Sequence, residues 1–450
     1  MTAAMLTCMS GSVAAIGRAH ERIDDASASL DVAALLAAAQ GAPPLICSLA
    51  ANSLRGWGWG GRDAPATPLS AVVTPVRSRD VESRALPVAD IERLVAALDS
   101  ADPCVRELSV RILGGQEKNQ TVVTALLTRL SSSDATIREV AAFGLGLMQP
   151  PSAVDPLLGA LRDVASGVRA NAAWALGRHE NGRALAALVG LFNDASDTVR
   201  EAAVVAAGRI DSNSTVGALL RVLQNDSSPN VRRVAAWALG QHGAREANDA
   251  MARQLDKEPD ASVREMIVWA LGNTRARGSA SVIANAMKHD SNDAVRETAT
   301  WALAEIGERS AVTALADVLS TDASARVRGT AAWAVGQLRD SGHEAPSALV
   351  RVLKDESDDV RLKAAWALGQ IGDPASMGGI RDALRAERSP QVRKALIRAL
   401  VRTGGRSEEA LTELLNSSDA TVREAAVRGL AGAHSFDPWP WPWPRPRPFP

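Results

Sequence analysis

The strongest regularity in the sequence is a ten-residue pattern of apolar and polar positions, seen most clearly as VRRVAAWALG at Val231–Gly240. Close copies begin at Val168, Val263, Val295, Val327 and Val360, and weaker copies begin at Val105, Ile137, Val199, Val392 and Val422. The second residue of every copy is arginine, and successive arginines lie 30 to 33 residues apart. A fixed period of this length indicates a stack of repeats rather than a row of globular domains.

Each repeat is predicted to contain two helices. The first, helix A, carries leucine and valine at helical spacing, as in Val216–Leu223 and Val312–Leu319. The second, helix B, carries the Val-Arg pattern, and short turns rich in Asp, Ser, Asn and Pro join A to B. Acidic residues just before helix B are expected to cap it, namely Asp134, Asp197, Asp260 and Asp419. Glycine-containing turns then lead to the next helix A.

The segment VRLKAAWALGQIGD at Val360–Asp373 resembles the short HEAT-like repeats, a type that is also found in phycobilisome lyase subunits. The resemblance covers about residues 89–433. It implies an all-α, right-handed α-solenoid of about eleven antiparallel helix pairs, whose B helices line a concave surface that usually binds protein. We predict three regions: an Ala-, Gly- and Pro-rich leader and linker at 1–85, the solenoid at 86–434, and an extended tail at 435–450.

A second regularity concerns charge, because an acidic residue lies six positions before most of the motif arginines. Acid and arginine can pair within one repeat or between adjacent repeats, and a row of such pairs would fix the stacking register. The predicted ladder comprises Asp163, Arg169, Asp194, Arg200, Asp226, Arg232, Asp290, Arg296, Asp322, Arg328, Asp355 and Arg361. If exposed, each pair would contribute under ~1 kcal/mol. An anion-binding row of arginines is less favoured, because each arginine has its own acid.

The tryptophans of the B helices fall on the side away from the predicted core. With ~100° of turn per residue, Trp237 lies roughly opposite the core stripe of Val231, on the same arc as Gln241. The predicted binding residues are Phe143, Trp174, Trp237, Trp269, Trp301, Trp333, Trp366, Gln241, Gln337 and Gln370. In designed binders of the family that the repeats resemble, this position belongs to the variable binding surface. The rings either form an exposed aromatic strip that binds a ligand, or pack on one another and on neighbouring B helices.

The chain ends in Pro438–Pro450, where proline occupies every second position. This spacing excludes a helix and favours extended polyproline II, with a length of roughly 40 Å. Because aromatic-lined grooves bind such segments, the tail is a candidate ligand through Trp439, Trp441, Trp443, Arg445, Arg447 and Phe449. Docking in cis would cover the last repeats, and docking in trans would give rings or filaments. A solvated tail and a membrane-interface role are the alternatives.

Bulk composition narrows the class of function. A net charge of −1 removes the general electrostatic case for a nucleic-acid partner. The widely spaced Cys8, Cys47 and Cys104 indicate neither a metal site nor a disulfide framework. The leader has no apolar run of ~20 residues that could span a membrane, and its start lacks the basic residues of a signal peptide. It is expected to contain a short helix at Leu30–Ala39, and an extracytoplasmic location stays open.

No nucleophile–base pair or metal-ligand spacing stands out, so we predict no catalytic residues, metal or cofactor. The leading hypothesis is a non-enzymatic scaffold whose groove holds an extended or Pro-rich protein segment. That segment could be the tail of the same chain or of another copy, which would give self-assembly. Two alternatives remain: a HEAT-like lyase or chromophore-binding accessory protein, and a regulatory or sensory repeat domain of a membrane-associated system.

Overall fold

The computed structural model describes residues 31–42, 86–116, 119–210, 213–338 and 344–403, together with single positions up to residue 427. All regular elements of these residues are α-helices or short 3-10 turns. They form two compact units, one built from 31–42 and 86–150 and the other from residue 151 onward. Most of the predicted leader and linker, and all of the predicted tail, lie outside the described residues.

The first unit contains one leader helix and two A–B pairs. Its helices are α1 (Val32–Ala39), α2 (Val88–Ala97), α3 (Pro103–Gly114), α4 (Gln120–Arg129) and α5 (Ala135–Met148). α2 and α3 form the first A–B pair, and α4 and α5 form the second. The A–B alternation therefore begins within a few residues of the predicted boundary.

The second unit continues the same alternation of A and B helices. Its A helices are α6 (Val154–Ala160), α8 (Leu185–Gly190), α10 (Val216–Asn225), α12 (Asn248–Leu255), α14 (Ala280–His289), α16 (Val312–Thr321), α18 (Ser347–Arg351) and α20 (Met377–Ala386). Its B helices are α7 (Ser166–Arg178), α9 (Asp197–Arg209), α11 (Pro229–Gln241), α13 (Ala261–Asn273), α15 (Asp293–Ile306), α17 (Ala325–Gln337), α19 (Asp358–Ile371) and α21 (Pro390–Thr403). From α7 to α19, each B helix packs along the B helix of the next repeat. The predicted all-α architecture of stacked helix pairs is confirmed.

Side-chain caps explain where several B helices begin. Asp134 accepts a hydrogen bond from the backbone N–H of Thr136 at 2.8 Å, and Asp260 accepts one from Ser262 at 2.9 Å. These bonds satisfy N–H groups that have no partner inside the helix. The prediction for Asp197 was wrong by one residue, because Asp197 is the first residue of α9 and Ser196 is its N-cap. Asp419 lies outside the described residues.

The core of the second unit follows the apolar stripe of each B helix. In α11, Val231, Ala235, Ala238 and Leu239 have no exposed surface, and Leu219 of the preceding helix A is equally buried. Alanine dominates because its small side chain lets neighbouring helices approach closely. Burial of these side chains removes apolar surface from water and holds successive repeats together.

The leader contributes a helix that packs on the first repeat. Asp31 caps α1 by accepting the N–H of Ala34 at 3.0 Å, and Ala39 is buried with Cys104, Val105 and Leu108 of α3. The N–H of Gly41 donates to Oδ2 of Asp102 at 2.7 Å, while Oδ1 of Asp102 caps α3. The expected short helix is therefore present and docked.

Cys104 corrects one expectation from the sequence. It is disulfide-bonded, although the wide spacing of the three cysteines gave no disulfide pattern. The partner sulfur lies outside the described residues.

No described helix combines the length and apolar character that crossing a bilayer requires.

Candidate functional site

The candidate site is the row of B-helix side chains on which the sequence analysis placed the binding residues. We define the B-helix stripe as the second, sixth and tenth residues after the motif valine or isoleucine. They are named the second, sixth and tenth stripe positions after that count. In α11 these positions are Arg233, Trp237 and Gln241. Their spacing of four residues places them on one face of the helix. The stripe is therefore the surface on which the sequence placed the binding residues.

The predicted strip of exposed indoles is not present in the described residues. Five of the six rings are buried, with exposed fractions of 4% for Trp174, 6% for Trp237, 9% for Trp269, 2% for Trp333 and 8% for Trp366. Trp301 alone among these six is half-buried. The helical angle was read correctly, but four of the six rings, those of Trp237, Trp269, Trp301 and Trp366, pack against a glycine of the preceding B helix. Of the two interpretations of the rings, packing on neighbouring B helices is the one that the structure shows.

Glycines on the preceding B helix make the slots that receive the rings. A Cβ on Gly240 would lie 2.6 Å from Cζ3 of Trp269 and 3.0 Å from Cα of Ala270. The same slot exists at Gly208 for Trp237, at Gly272 for Trp301 and at Gly336 for Trp366. Because real Cβ atoms do not approach so closely, any larger residue would force the ring or the helix to move. These glycines permit close helix approach, as expected from their position.

Two rings at this position carry a cation on one face. In the first unit, Phe143 is fully buried and the guanidinium carbon of Arg111 lies 5.2 Å from its ring centroid. Arg111 also donates two hydrogen bonds to Glu107. In α7, the guanidinium carbon of Arg178 lies 5.5 Å from the ring of Trp174. Both distances fall within the range of a cation–π interaction.

The amides predicted at the tenth stripe position remain accessible. Gln241 and Gln337 are exposed, and Gln370 is half-buried. Asn273 takes the same position in α13, where its Nδ2 donates to the carbonyl of Gly240 at 2.9 Å. The polar members of the predicted site thus face solvent more than its aromatic members do.

The charge ladder runs between repeats. Seven motif arginines donate Nε or Nη2 to the acid of the next repeat, giving Arg169–Asp194, Arg200–Asp226, Arg232–Glu258, Arg264–Asp290, Arg296–Asp322, Arg328–Asp355 and Arg361–Glu387. Arg169 shows the geometry: Nε and Nη2 each lie 2.8 Å from Asp194, and Nη1 donates to the carbonyl of Asp163 at 2.8 Å. Of the two pairings that the sequence left open, the structure has the one between repeats.

Each ladder acid also organises the turn before its own B helix. Asp163 accepts the N–H of Ala165 at 2.8 Å, and Asp194 accepts the N–H of Ser196 at 2.9 Å. The arginines of the inter-repeat pairs are only 11–17% exposed and their acids 0–9% exposed. The arginine guanidiniums are thus engaged by a carboxylate and a backbone carbonyl, which suits a structural role.

The ladder shifts the ionisation of its members. The hydrogen bond from Arg169 lowers the pKa of Asp194, and the same bond raises the pKa of Arg169. Burial alone would raise the pKa of Glu258, but hydrogen bonds from Arg232, the N–H of Asp260 and Gln254 together lower it. The folded state therefore favours the charged form of both carboxyls.

A row of glutamates on the stripe was missed by the sequence reading. Burial raises the pKa of Glu201, Glu265 and Glu297, which occupy the second stripe position of α9, α13 and α15. Glu265 accepts the hydroxyl of Thr298 at 3.4 Å, and Glu297 accepts that of Thr330 at 3.4 Å. The available signal was the tripeptide Val-Arg-Glu, which recurs in these three copies of the motif.

The six predicted ligand residues of the tail, from Trp439 to Phe449, lie outside the described residues. In the part of the chain that the structure describes, no group of three or more His, Cys, Asp or Glu side chains could hold a metal ion.

The comparisons with known proteins follow the same repeat pattern. A family model described as HEAT repeats matches residues 91–165, 123–208, 188–272, 216–304, 248–336, 280–361 and 312–377. This chain belongs to the HEAT repeat family. The resemblance drawn from Val360–Asp373 is thereby confirmed, and the B-helix stripe is a feature of a HEAT repeat protein. No protein in the curated set matches this HEAT repeat protein.

Solved structures agree on the fold. An importin-β crystallised in an ammonium sulfate condition is 13% identical, with a TM-score of 0.62 over 96% of this chain and 67% of that chain. Kap95p, in a structure whose title describes its binding to RanGDP, is 12% identical, with a TM-score of 0.56 over 76% and 55%. The CpcE–CpcF phycocyanin lyase of Nostoc is 21% identical, with a TM-score of 0.34 over 55% and 93%. At these identities the likeness to the importin-β and Kap95p structures concerns the fold alone.

Proposed function

We propose that this HEAT repeat protein is a non-enzymatic scaffold that binds an extended segment of another protein along the B-helix stripe. The accessible carboxamides carry this proposal. Gln241, Gln337 and Gln370 occupy the same position in α11, α17 and α19 and are exposed or half-buried. A carboxamide both donates and accepts hydrogen bonds, so a row of them suits the peptide groups of an extended chain, whatever its sequence.

Packing explains the other repeated positions but does not require these amides. The motif valine, the two core alanines, the leucine and the glycine are buried, and the tryptophan fills a glycine slot. The tenth position points to solvent, and helix stability there would be served equally well by Lys, Glu or Ala. A recurrent amide at a solvent-facing position therefore favours binding. Kap95p, which has the same fold, is described as binding RanGDP, and this supports a protein partner.

A display library of unstructured peptides, panned against the full chain, tests the proposal. Selected peptides are expected to bind the parent chain and to lose affinity when Gln241→Ala and Gln337→Ala are introduced together. Gln224→Ala is the matched control, because Gln224 is an exposed glutamine on the A helix α10. Peptides that bind the double variant as tightly as the parent would remove the stripe as the binding surface.

The tail is proposed as one such extended segment, acting in cis or between copies. Its proline spacing favours a preformed extended conformation, which lowers the ordering cost of docking. If copies join through their tails, deleting residues 438–450 should reduce the mass measured by light scattering. An unchanged mass would exclude self-assembly through the tail and leave the scaffold proposal intact.

Burial of the indoles favours the scaffold over a chromophore-binding accessory role. A tetrapyrrole held by tryptophan needs open ring faces, whereas five of the six rings are 2–9% exposed. Visible absorbance that copurifies with the full chain would reverse this preference.

A further inference from the structure

Trp301 is the indole of the stripe that packing leaves accessible. It is half-buried, whereas the other five rings are 2–9% exposed. The next B helix, α17, carries Gly329 at its second stripe position, where α9, α11, α13 and α15 carry Glu or Arg. The side chains of Asp359 and Lys363 from the following repeat take up the space beside Gly329. Among the six described tryptophans of the stripe, a partly open ring is found at Trp301 alone.

Carboxylates flank this ring on its own helix. Glu297 precedes Trp301 by four residues and Glu305 follows it by four, so all three share one face of α15. Both glutamates are half-buried. Glu265, from the preceding B helix, reaches the same helix through its hydrogen bond with Thr298 at 3.4 Å. The half-buried ring thus shares a helix face with two acids, and a third acid from the preceding repeat bonds to the same helix.

Three cations act on Glu265 and Glu297, namely Arg233, Arg326 and Lys363, and the last two also pair with Asp293 and Asp359. Arg326 of α17 lies 3.0 Å from Asp293 and 3.6 Å from Glu297. Lys363 also acts on Glu297 electrostatically, but its Nζ is already bonded to Asp359 at 2.7 Å. Burial raises the pKa of Glu297, and the nearby charge of Asp293 raises it further. An added cation would therefore be stabilised here.

Resting on the proposed function, we propose that Trp301, Glu297 and Glu305 form an arginine-binding site whose occupant is the Arg445-Pro446-Arg447 segment of this chain. A guanidinium stacks on an indole face and at the same time donates hydrogen bonds to a carboxylate, a combination that lysine matches poorly. The tail supplies two guanidiniums and no acid between Pro438 and Pro450. Charge complementarity therefore selects this segment.

The spacing of the two arginines fits the site. In polyproline II, residues two apart are separated by roughly 6 Å. Along an α-helix, residues four apart rise by about 6 Å. One guanidinium can then lie over Trp301 while the other reaches Glu297 or Glu305.

Fluorescence anisotropy tests the site with the full-length chain carrying Arg445→Ala and Arg447→Ala. These changes free the site of its own tail, and this chain is the parent of the variants in the experiment. The probe is a dye-labelled synthetic peptide of residues 438–450. We expect Glu297→Gln with Glu305→Gln to weaken peptide binding by about tenfold. A peptide with both arginines replaced by alanine should bind about tenfold more weakly to the parent. The arginine-free peptide should lose little further affinity when the protein also carries Glu297→Gln and Glu305→Gln. The change in the peptide and the changes in the protein remove the same interaction.

Matched controls separate binding from folding. Glu246→Gln, an exposed change outside the stripe, should leave the affinity unchanged. Glutamine is isosteric with glutamate, and a thermal melt of each variant checks that it is folded. Trp301→Ala is a poorer test because the ring also fills the slot at Gly272.

The outcomes distinguish the two proposals. Equal binding of the peptide to the parent and to the double glutamine variant overturns the arginine site. If Gln241→Ala with Gln337→Ala still abolishes that binding, the scaffold proposal stands. A peptide that binds neither protein excludes the tail as occupant, whereas display peptides that need the stripe amides would still support the scaffold.

Discussion

At the residue scale, the position of each indole depends on the residue that faces it from the preceding repeat. The angular pattern of the B helix places Trp269 on the outward face, and the structure agrees with that angle. The missing side chain of Gly240 leaves a slot that receives the ring of Trp269, which is 9% exposed. The prediction of exposed rings was wrong because helical periodicity describes one helix, whereas the slot belongs to two.

Substituting the slot glycine should therefore destabilise the protein. Gly240→Ala places a Cβ 2.6 Å from the ring of Trp269 and 3.0 Å from the Cα of Ala270. We expect a loss of about 1–3 kcal/mol in the free energy of unfolding, measured by urea denaturation. Gly159→Ala in α6 is the control, since nothing lies within 4 Å of its Cβ, and alanine should add up to about 1 kcal/mol through helix propensity. Equal urea midpoints for the two variants would contradict the slot.

The ladder allows a second prediction at this scale. Glu258→Ala leaves Arg232 nearly buried without its carboxylate, and such losses cost about 3–5 kcal/mol. Glu258→Asp should retain most of the stability, because Asp takes this place in neighbouring repeats. Asp155→Ala breaks the exposed pair with Arg183 and should cost no more than about 1 kcal/mol. A cost of Glu258→Ala as small as that of Asp155→Ala would show that the ladder is energetically unimportant.

At the element scale, periodicity predicted which segments are helices better than where they end or what they touch. The caps at Asp134 and Asp260 were recognisable because a short polar side chain precedes an apolar run. The start of α9 was predicted one residue too late, because Ser196 takes the N-cap position without a side-chain cap and its N–H is held by Asp194. The contact between α1 and α3 joins residues 61 positions apart, as in the bond from Gly41 to Asp102, and no local pattern encodes it.

The docking of α1 should depend on the oxidation state of Cys104. The disulfide of Cys104 ties the helix start of α3 to another part of the chain, beside the cluster that holds Ala39. Reduction with a dithiol frees the sulfur of Cys104, which packs in the apolar cluster with Ala39, and should raise the open fraction of α1. Hydrogen exchange of the amides in residues 32–41 should then become faster.

The control for this prediction is Cys104→Ser. It should show the faster exchange at 32–41 without reductant and no further change when reductant is added. Amides of α15, in the second unit, should be unaffected. Identical exchange in the oxidised and reduced parent would mean that the hydrogen bond from Gly41 and the apolar cluster hold α1 without help from the disulfide.

At the scale of the whole molecule, two populations of carboxyls act in opposite directions. Hydrogen bonds from arginine lower the pKa of Asp194, and they outweigh the burial that alone would raise the pKa of Asp290 and Asp355. Burial raises the pKa of the stripe glutamates Glu201 and Glu265. Since neighbouring repeats stabilise one another through their shared interfaces, these local effects recur along the stack and add.

The melting temperature should therefore have a maximum on the acidic side of neutrality. A stripe glutamate has a folded pKa above its unfolded value of ~4.3. Its stabilising contribution is therefore complete below pH ~4.3 and is lost as the pH rises through the folded pKa. A ladder aspartate has the opposite pH dependence. Its stabilising contribution is complete above pH ~3.9, the unfolded pKa, and is lost as the pH falls through the lowered folded pKa. Acidification from neutral pH thus first protonates the stripe and stabilises the protein, and then discharges the ladder and destabilises it.

Replacing Glu201, Glu265 and Glu297 together by glutamine separates the two populations. The variant removes three half-buried charges, so it should melt higher than the parent at neutral pH and show no gain on mild acidification. The difference in melting temperature should vanish below pH ~4.3, where the glutamates of the parent are themselves neutral. Differential scanning calorimetry at constant ionic strength measures both curves. If the melting temperature of the parent instead falls steadily from neutral to acidic pH, in parallel with the variant, the stripe glutamates are solvated enough to ionise without cost. A bound cation would then gain no additional stabilisation from these carboxylates.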